Sequence, residues 1–323
     1  MSQDIYVVIE HLRGQVTEIS YVMLAGARIL AQGTGGKVVA VLFGNKVQDL
    51  PGNPPFAADS LLYCDHPSLG DFTSDAYQKA LAPLITRDQP RAVLFGSTSI
   101  GTDLASCLSI HLGLPLVSSC RNFETNGKFI CQVCGGKIMA EGDLPSPTAL
   151  ITMVPGGYKA DAGQAAQPPA VTQITAPGLE SLRVSLAGYI EPASGDVDIA
   201  KETVLVSVGR GIQNQDNISL AEDLAKALGG VVSGSRPVID QGWLATSRLV
   251  GKSGKHVKPK VYLALGISGA PEHAEAITDS DTIIAINTDP TAPIFNIAKY
   301  GTETDLFDLV EVLTAQVKAA KGV

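Results

Sequence analysis

The sequence predicts an α/β protein in two parts: an N-terminal α/β domain with an antiparallel extension over residues 1–195, and a C-terminal parallel-sheet domain over 196–323. Three observations carry that prediction. At 323 residues the chain is too long for one ordinary domain and comfortable for two. Short β-rich runs alternate with amphipathic helical stretches, the rhythm of a parallel sheet covered by helices. That rhythm stops midway and restarts after the turn-rich acidic segment Glu191-Pro192-Ala193-Ser194-Gly195-Asp196, which reads as an interdomain linker.

In order, Ile5 to Ile9 reads as a strand, Ile19 to Ala31 as a helix, and Val38 to Phe43 and Leu61 to Cys64 as strands. Ser74 to Ile85 follows as a helix, Arg91 to Phe95 as a strand, and Thr102 to Leu112 as a helix entered through the small-residue loop Gly96 to Ser99. Then Leu116 to Cys120, Phe129 to Cys134, Lys137 to Ala140 and Ala149 to Val154 succeed one another without helices, with Asn126-Gly127 as a hairpin turn. These four runs form the expected antiparallel extension. Pro155 to Pro177, rich in Gly, Ala, Gln and Pro, reads as an irregular connection, and Leu182 to Ile190 as one more strand. The second part runs strand Val204 to Val208, helix Ser219 to Leu228, strands Val231 to Ser233, Val261 to Leu265 and Thr282 to Ile286, a fifth strand near Ile297 to Lys299, and helix Leu306 to Ala319.

Composition removes several classes of function. With 45% apolar and 17% charged residues the chain is compact, not disordered. A net charge of −8 without basic clusters argues against nucleic acid as a partner. Five cysteines are an odd number and form no disulfide framework, which fits a reducing compartment. No basic leader precedes the first strand, and no apolar run approaches the roughly 20 residues that cross a bilayer. The expectation is a chain of the bacterial or archaeal cytoplasm with no stable membrane insertion.

In an open parallel sheet, ligands lie beyond the carboxyl ends of the strands. Four successive strand ends here carry Gly209-Arg210-Gly211, Gly234-Ser235-Arg236, Gly266-Ile267-Ser268-Gly269-Ala270 and Asn287-Thr288-Asp289. Glycines let backbone N–H groups approach an anion, so a nucleotide is the ligand these loops suggest. Arg210 can pair with a phosphate as a planar fork, and Asn287 can serve ribose-like or ribityl hydroxyls. A dehydrogenase-type Gly-x-Gly-x-x-Gly is excluded by spacing, since Ile212-Gln213-Asn214 follows Gly211, and a Walker Gly-Lys-Ser/Thr ending is absent.

Several ordered pieces then make the second part resemble the FAD domain of electron-transfer flavoprotein α subunits. They are Ser235-Arg236-Pro237, Gly251-Lys252-Ser253-Gly254-Lys255, Gly266 to Ala270 with His273, Ile286-Asn287 through Asp289-Pro290 to Phe295, and Tyr300-Gly301 with Asp305. The first part agrees more loosely, through Gly96 to Gly101 and Gly135-Gly136-Lys137-Ile138. The resemblance implies a flavodoxin/Rossmann-like FAD-binding domain. It implies a pyrophosphate on the turn Gly266, Ile267, Ser268, Gly269, Ala270, and an isoalloxazine near Arg236, Ser253 and His273. Arg236 would stabilise negative charge on the reduced flavin, Ser253 would hydrogen-bond its N5, and His273 would donate near the pyrimidine oxygen. Ser235, Lys252, Gly254, Asn287, Asp289, Asp305 and Leu306 complete the implied set, Asp305 at the adenosine end.

The chain departs from the family pattern with Lys252 and Glu272 where glutamines are usual, and with Leu249 in place of another. Lys252 and Glu272 are expected either to retune the flavin or to pair with each other. The implied partner is an electron-transfer flavoprotein β subunit carrying AMP or a second FAD. The implied donor is an acyl-CoA dehydrogenase-type flavoenzyme, as in fatty acid β-oxidation, and the acceptor a quinone oxidoreductase or ferredoxin. A carrier needs no acid/base set, and none is visible. A bifurcating complex using NADH is the catalytic variant, and a nucleotide-sensing module without flavin is the alternative of another class.

Cys131-Gln132-Val133-Cys134 has metal-site spacing without a second pair, and on a strand its two sulfurs point apart. His11, His66, His111 and His256 have no partners at recognisable spacing, and Trp243 reads as a packing residue.

Overall fold

The computed structural model describes residues 2–134, 138–189 and 197–322, and separates into units Met1–Gly188 and Tyr189–Val323. The expected linker, residues 191–196, and Gly135-Gly136-Lys137 lie outside the described residues.

The first unit runs β1 (Ile5–Val8), the short pair β2 (His11–Leu12) and β3 (Gln15–Val16), α1 (Glu18–Thr34), β4 (Val38–Gly44), β5 (Ser60–Asp65), α2 (Ser74–Asp88), β6 (Ala92–Gly96) and α3 (Ser99–Leu112). It continues with β7 (Leu116–Phe123), β8 (Lys128–Val133), β9 (Ile138–Asp143), β10 (Ala149–Met153) and β11 (Ala170–Gln173). Nine strands form one sheet in the order β11-β5-β4-β1-β6-β10-β7-β8-β9. Alternation within β1 explains the layers. Ile5 and Val7 pack with Met23, Leu24, Ala27 and Leu30 of α1, while Tyr6 and Val8 pack with Tyr77, Leu81, Leu104 and Leu108 of α2 and α3. Strands buried on both faces read as continuous apolar runs, which is why they are legible in the sequence. α3 starts before the expected Thr102 because the Thr98 side chain accepts the Gly101 N–H at 2.9 Å and caps the helix there.

Three segments depart from expectation. The β7–β8 and β8–β9 pairs are antiparallel, turning near Gly127 at φ +86, but β10 inserts parallel between β6 and β7. All five β10 residues are buried, as a central strand requires, and a run of local hairpins does not reveal that return to the centre. Inside the expected irregular connection, β11 pairs parallel with β5 directly after Pro168-Pro169, an edge position that tolerates proline. Of the expected strand Leu182 to Ile190, the described part, 182–189, pairs with no strand among the described residues. Its Arg183 N–H donates instead to Asp75 Oδ2 at 2.6 Å, and the Arg183 guanidinium to Asp75 Oδ1 at 2.8 Å, tying the segment to the first turn of α2.

The second unit runs β12 (Val204–Val208), α4 (Ile218–Leu228), β13 (Val231–Gly234), α5 (Arg236–Asp240), β14 (Val261–Leu265), α6 (Pro271–Ala274), β15 (Ile283–Asn287), β16 (Tyr300–Glu303) and α7 (Leu306–Lys321). Its five parallel strands lie in the order β13-β12-β14-β15-β16. Numbered within the unit this is 2-1-3-4-5, the doubly wound order whose switch point falls between β12 and β14. The fifth strand is Tyr300–Glu303, not Ile297 to Lys299. A 3-10 turn at Pro293–Asn296 takes the Ile297 and Ala298 N–H groups onto the Ile294 carbonyl first. α4 and α7 cover one face through Ala221, Leu224, Leu306 and Val310. The other face is closed by irregular chain: Val250, Val257, Ile267, Ala276, Ile277 and Ile294.

Candidate functional site

A cavity of about 700 Å3 opens beyond the ends of β12, β13, β14 and β15, within the roughly 300–1,000 Å3 of small-molecule sites. Its floor is backbone against backbone. A Cβ on Gly209 would stand 2.2 Å from the Gly266 carbonyl oxygen, and one on Gly211 would stand 2.7 Å from Gly266 Cα. Gly209 N–H donates to Leu265 O at 2.8 Å and Gly211 N–H to Gly266 O at 3.2 Å. These glycines thus serve first to interlock two loops at the switch point, and only then to form a cradle. Gly266 and Gly269 also hold φ of +62 and +81, the left-handed region that favours glycine.

The turn above this floor is where an anion fits. Among the described residues no acceptor takes the N–H groups of Ile267, Ser268, Gly269 or Ala270. Three carbonyls of the same turn are engaged: Ile267 O by the Asn287 side-chain amide at 2.9 Å, Ser268 O by Ile294 N–H at 3.0 Å and Ala270 O by His273 N–H at 2.9 Å. A turn with three of its four acceptors tied and four successive donors free is suited to an oxyanion. α6, with only four residues and Pro271 at its start, adds little dipole of its own.

The rim is charged. Arg210, Arg236 and Lys252 line the cavity with Glu272 and Asp305, a net positive lining in a chain of charge −8. Arg236 spans the mouth: its Nε donates to Asp240 at 2.6 Å and its Nη1 to Ser253 Oγ at 3.2 Å. The expected pairing of Lys252 with Glu272 does not occur through side chains among the described residues. What joins the two is the Lys252 N–H donating to the Glu272 carbonyl at 2.8 Å. His273 lines the cavity at 6% exposure, and burial pushes its imidazole down to about 4 from the ordinary 6.5, with the Val250 carbonyl opposing the shift.

The cavity gathers Arg210, Ser235, Arg236, Lys252, Ser253, Gly266, Ile267, Ser268, Gly269, Ala270, His273, Asn287, Asp305 and Leu306. Gly254 and Asp289 stand apart from its lining. Gly254 lets the 249–255 loop close, since a Cβ there would stand 2.5 Å from Leu249. Asp289 accepts from Thr291 N–H at 2.8 Å and Thr291 Oγ1 at 2.7 Å, which lowers its pKa and builds a turn. Asn287 is engaged at both ends, its Oδ1 accepting the Asp289 N–H at 3.0 Å, so it braces two loops as well as facing the ligand space. Asp305 Oδ1 caps α7 by accepting the Phe307 N–H at 3.0 Å. Sequence reasoning missed Gln213 and Thr304, which also line the cavity, and Asp240 behind Arg236. Only Asp240 had a sequence signal, four residues after Arg236 on one helix face.

Of the CxxC pair, Cys131 is buried and Cys134 exposed, and no metal-ligand cluster occurs among the described residues. Cys131 instead faces Cys120 across the β7–β8 pair. No helix of the described residues is long and apolar enough to cross a membrane.

A doubly wound sheet with free N–H donors and a cationic rim at its switch point is an arrangement suited to a nucleotide-sized anion. Comparison with known proteins makes this specific. Residues 198–278 match the electron transfer flavoprotein FAD-binding domain, and residues 5–179 the electron transfer flavoprotein domain. The chain is 35% identical to "Acryloyl-CoA reductase electron transfer subunit beta" of Anaerotignum propionicum, over 99% of this chain and 97% of that one. It is 35% identical to "Electron transfer flavoprotein subunit alpha" of Thermoanaerobacterium thermosaccharolyticum, over 99% of each, and 33% identical to "Protein FixB" of Clostridium saccharobutylicum, over 98% and 96%. The chain belongs to the electron-transfer flavoprotein α-subunit family.

Proposed function

We propose that this chain binds one FAD in the switch-point cavity of its second unit and carries electrons as the α subunit of a heterodimer with a β subunit. The observation that supports this most is the 267–270 turn, whose four residues line a 700 Å3 cavity large enough for a dinucleotide and whose N–H groups have no acceptor among the described residues. The turn would hold the pyrophosphate. Arg236, clasped to Ser253 at the mouth, would sit beside the isoalloxazine, and Asp305 near the adenosine end. When bound, FAD supplies the electron-accepting group, while the protein orients it and adds positive potential where reduction places negative charge.

The first unit, with a boundary at the 191–196 segment, would pack on the β subunit, which carries AMP or a second FAD. The donor would be an acyl-CoA dehydrogenase-type flavoenzyme; a relative named as an electron transfer subunit of acryloyl-CoA reductase supports an acyl-CoA-linked redox partner, although a reductase takes electrons up and does not give them. The acceptor would be a quinone oxidoreductase or ferredoxin, and the place of action the cytoplasm. The deciding experiment is to co-purify the chain with its β partner and quantify flavin and AMP per heterodimer. One FAD with one AMP supports a carrier, and two FAD a bifurcating complex. A colourless heterodimer that takes up no FAD overturns the reading.

A further inference from the structure

Behind the cavity wall His273 joins a buried polar relay whose other members, Tyr262 and Ser207, the nucleotide reading leaves unused. Tyr262 on β14 is fully buried, and its hydroxyl lies 2.8 Å from His273 Nε2. Ser207 on the neighbouring β12, also fully buried, lies on the same face of the sheet as this phenol, and its Oγ has no partner in hydrogen-bond geometry among the described residues. The Val250 carbonyl lies near the imidazole and favours a proton on it, the Val250 N–H being taken by Gly234 O at 2.9 Å. Among the described residues His273 Nδ1 has no partner in hydrogen-bond geometry, although it is out of solvent.

Donor and acceptor roles follow from chemistry. A carbonyl can only accept, so the Val250 oxygen favours a proton on Nδ1 over a lone pair. A neutral imidazole protonated at Nδ1 accepts at Nε2, which makes Tyr262 the donor of the 2.8 Å bond. The phenol oxygen then keeps its lone pairs, and the Ser207 hydroxyl behind it, without a partner in hydrogen-bond geometry, holds no conflicting role. The opposite tautomer would set the Nδ1 lone pair against a carbonyl in a dry site, where such mismatches are costly.

We propose that Tyr262 is a positioning residue for the cavity: its hydroxyl donates to His273 Nε2 and fixes the imidazole as the Nδ1–H tautomer, with Ser207 at the back of the relay. The wall of the cavity therefore presents an oriented dipole and no charge. Nδ1–H is the one donor of the ring left without a full partner, and an acceptor oxygen of a bound ligand completes it. That last step rests on the FAD reading, whereas the tautomer itself does not.

The test is two-bond 15N–1H NMR on the full chain labelled with 15N-histidine, recorded without ligand and with FAD added. His273 is identified by the signal lost in His273→Asn. The expected wild-type spectrum shows a protonated Nδ1 and an unprotonated Nε2, and FAD shifts the Nδ1 signal. In Tyr262→Phe the Nδ1–H to Nε2–H ratio falls about tenfold, as expected for one buried hydrogen bond. Ser207→Ala, which keeps the Tyr262 donor, retains the wild-type tautomer. A wild-type His273 protonated at Nε2 overturns the proposal, and this measurement decides even if the phenylalanine variant fails to fold. A folded Tyr262→Phe with an unchanged ratio overturns it too. If FAD does not bind while the ligand-free chain shows Nδ1–H, the relay stands and the cofactor reading falls.

Discussion

Acidification should weaken the second unit through His273 in a way that can be isolated. Burial holds this imidazole uncharged in the folded chain down to about 4, while the unfolded chain takes the proton near 6.5. Below 6.5 the unfolded state therefore binds one proton more, and stability falls with pH at about 1.4 kcal/mol per unit. The contribution is fully present above 6.5, declines between the two values and is gone below the lower one. It amounts to about 3 kcal/mol, a large share of a domain's net stability. Trp243, the chain's single tryptophan, packs against the second unit's core and reports on that unit alone. Urea unfolding followed by its fluorescence, at pH 7, 6, 5 and 4, should show wild type losing about 3 kcal/mol more than His273→Gln. His256, whose pKa burial also lowers, titrates in both proteins and cancels in the difference. Parallel stability curves for the two proteins would refute the buried neutral imidazole.

Gly269→Ala places a Cβ 2.4 Å from the Ile294 nitrogen at φ +81, so it should cost about 2–4 kcal/mol in the same unfolding assay. Gly242→Ala, at φ +72 with nothing within 4 Å, is the control and should cost only about 1 kcal/mol. Lys252→Gln removes a cation from the cavity lining and should lower the two-electron flavin potential, by about 30 mV for each ~1.4 kcal/mol of charge stabilisation lost. A redox titration of the heterodimer with an unmoved potential would reduce Lys252 to a solvated surface charge. Arg183→Ala removes the guanidinium from Asp75 but keeps the backbone N–H bond, so calorimetry should find the first unit weakened by about 1 kcal/mol.

The sequence made the parallel strands legible because burial on both faces leaves no alternation to confuse with a helix, as in the wholly apolar Val38 to Phe43. It misplaced what long-range contacts decide. β10 looks like the next hairpin strand, yet its central position depends on β6 and β7 closing around it. Leu182 to Tyr189 has a strand's composition, but the carboxylate of Asp75, over a hundred residues away in sequence, takes its backbone donor. At the site, ordered motifs located the loops, while single-residue roles were harder to read. Asn287 and Asp289 suit ligand hydroxyls by residue type, but their first partners are the loops themselves. The relay from Ser207 through Tyr262 to His273 joins three elements and has no sequence signature at all.

The interlock of Gly209 and Gly211 with Gly266 divides the cavity into two walls of different character. One is cast: no side chain can be added to it without parting the loops, so its shape cannot drift by gradual substitution. The other hangs on the clasp from Arg236 to Ser253, an exposed bond that water and salt can contest. A guest's fit is therefore inherited from the cast wall and its residence time from the hung one. Variation that tunes how fast the pocket loads and empties, without changing what it accepts, has two places to act, the seven residues from Leu249 to Lys255 and the Arg236–Asp240 pair that reaches them.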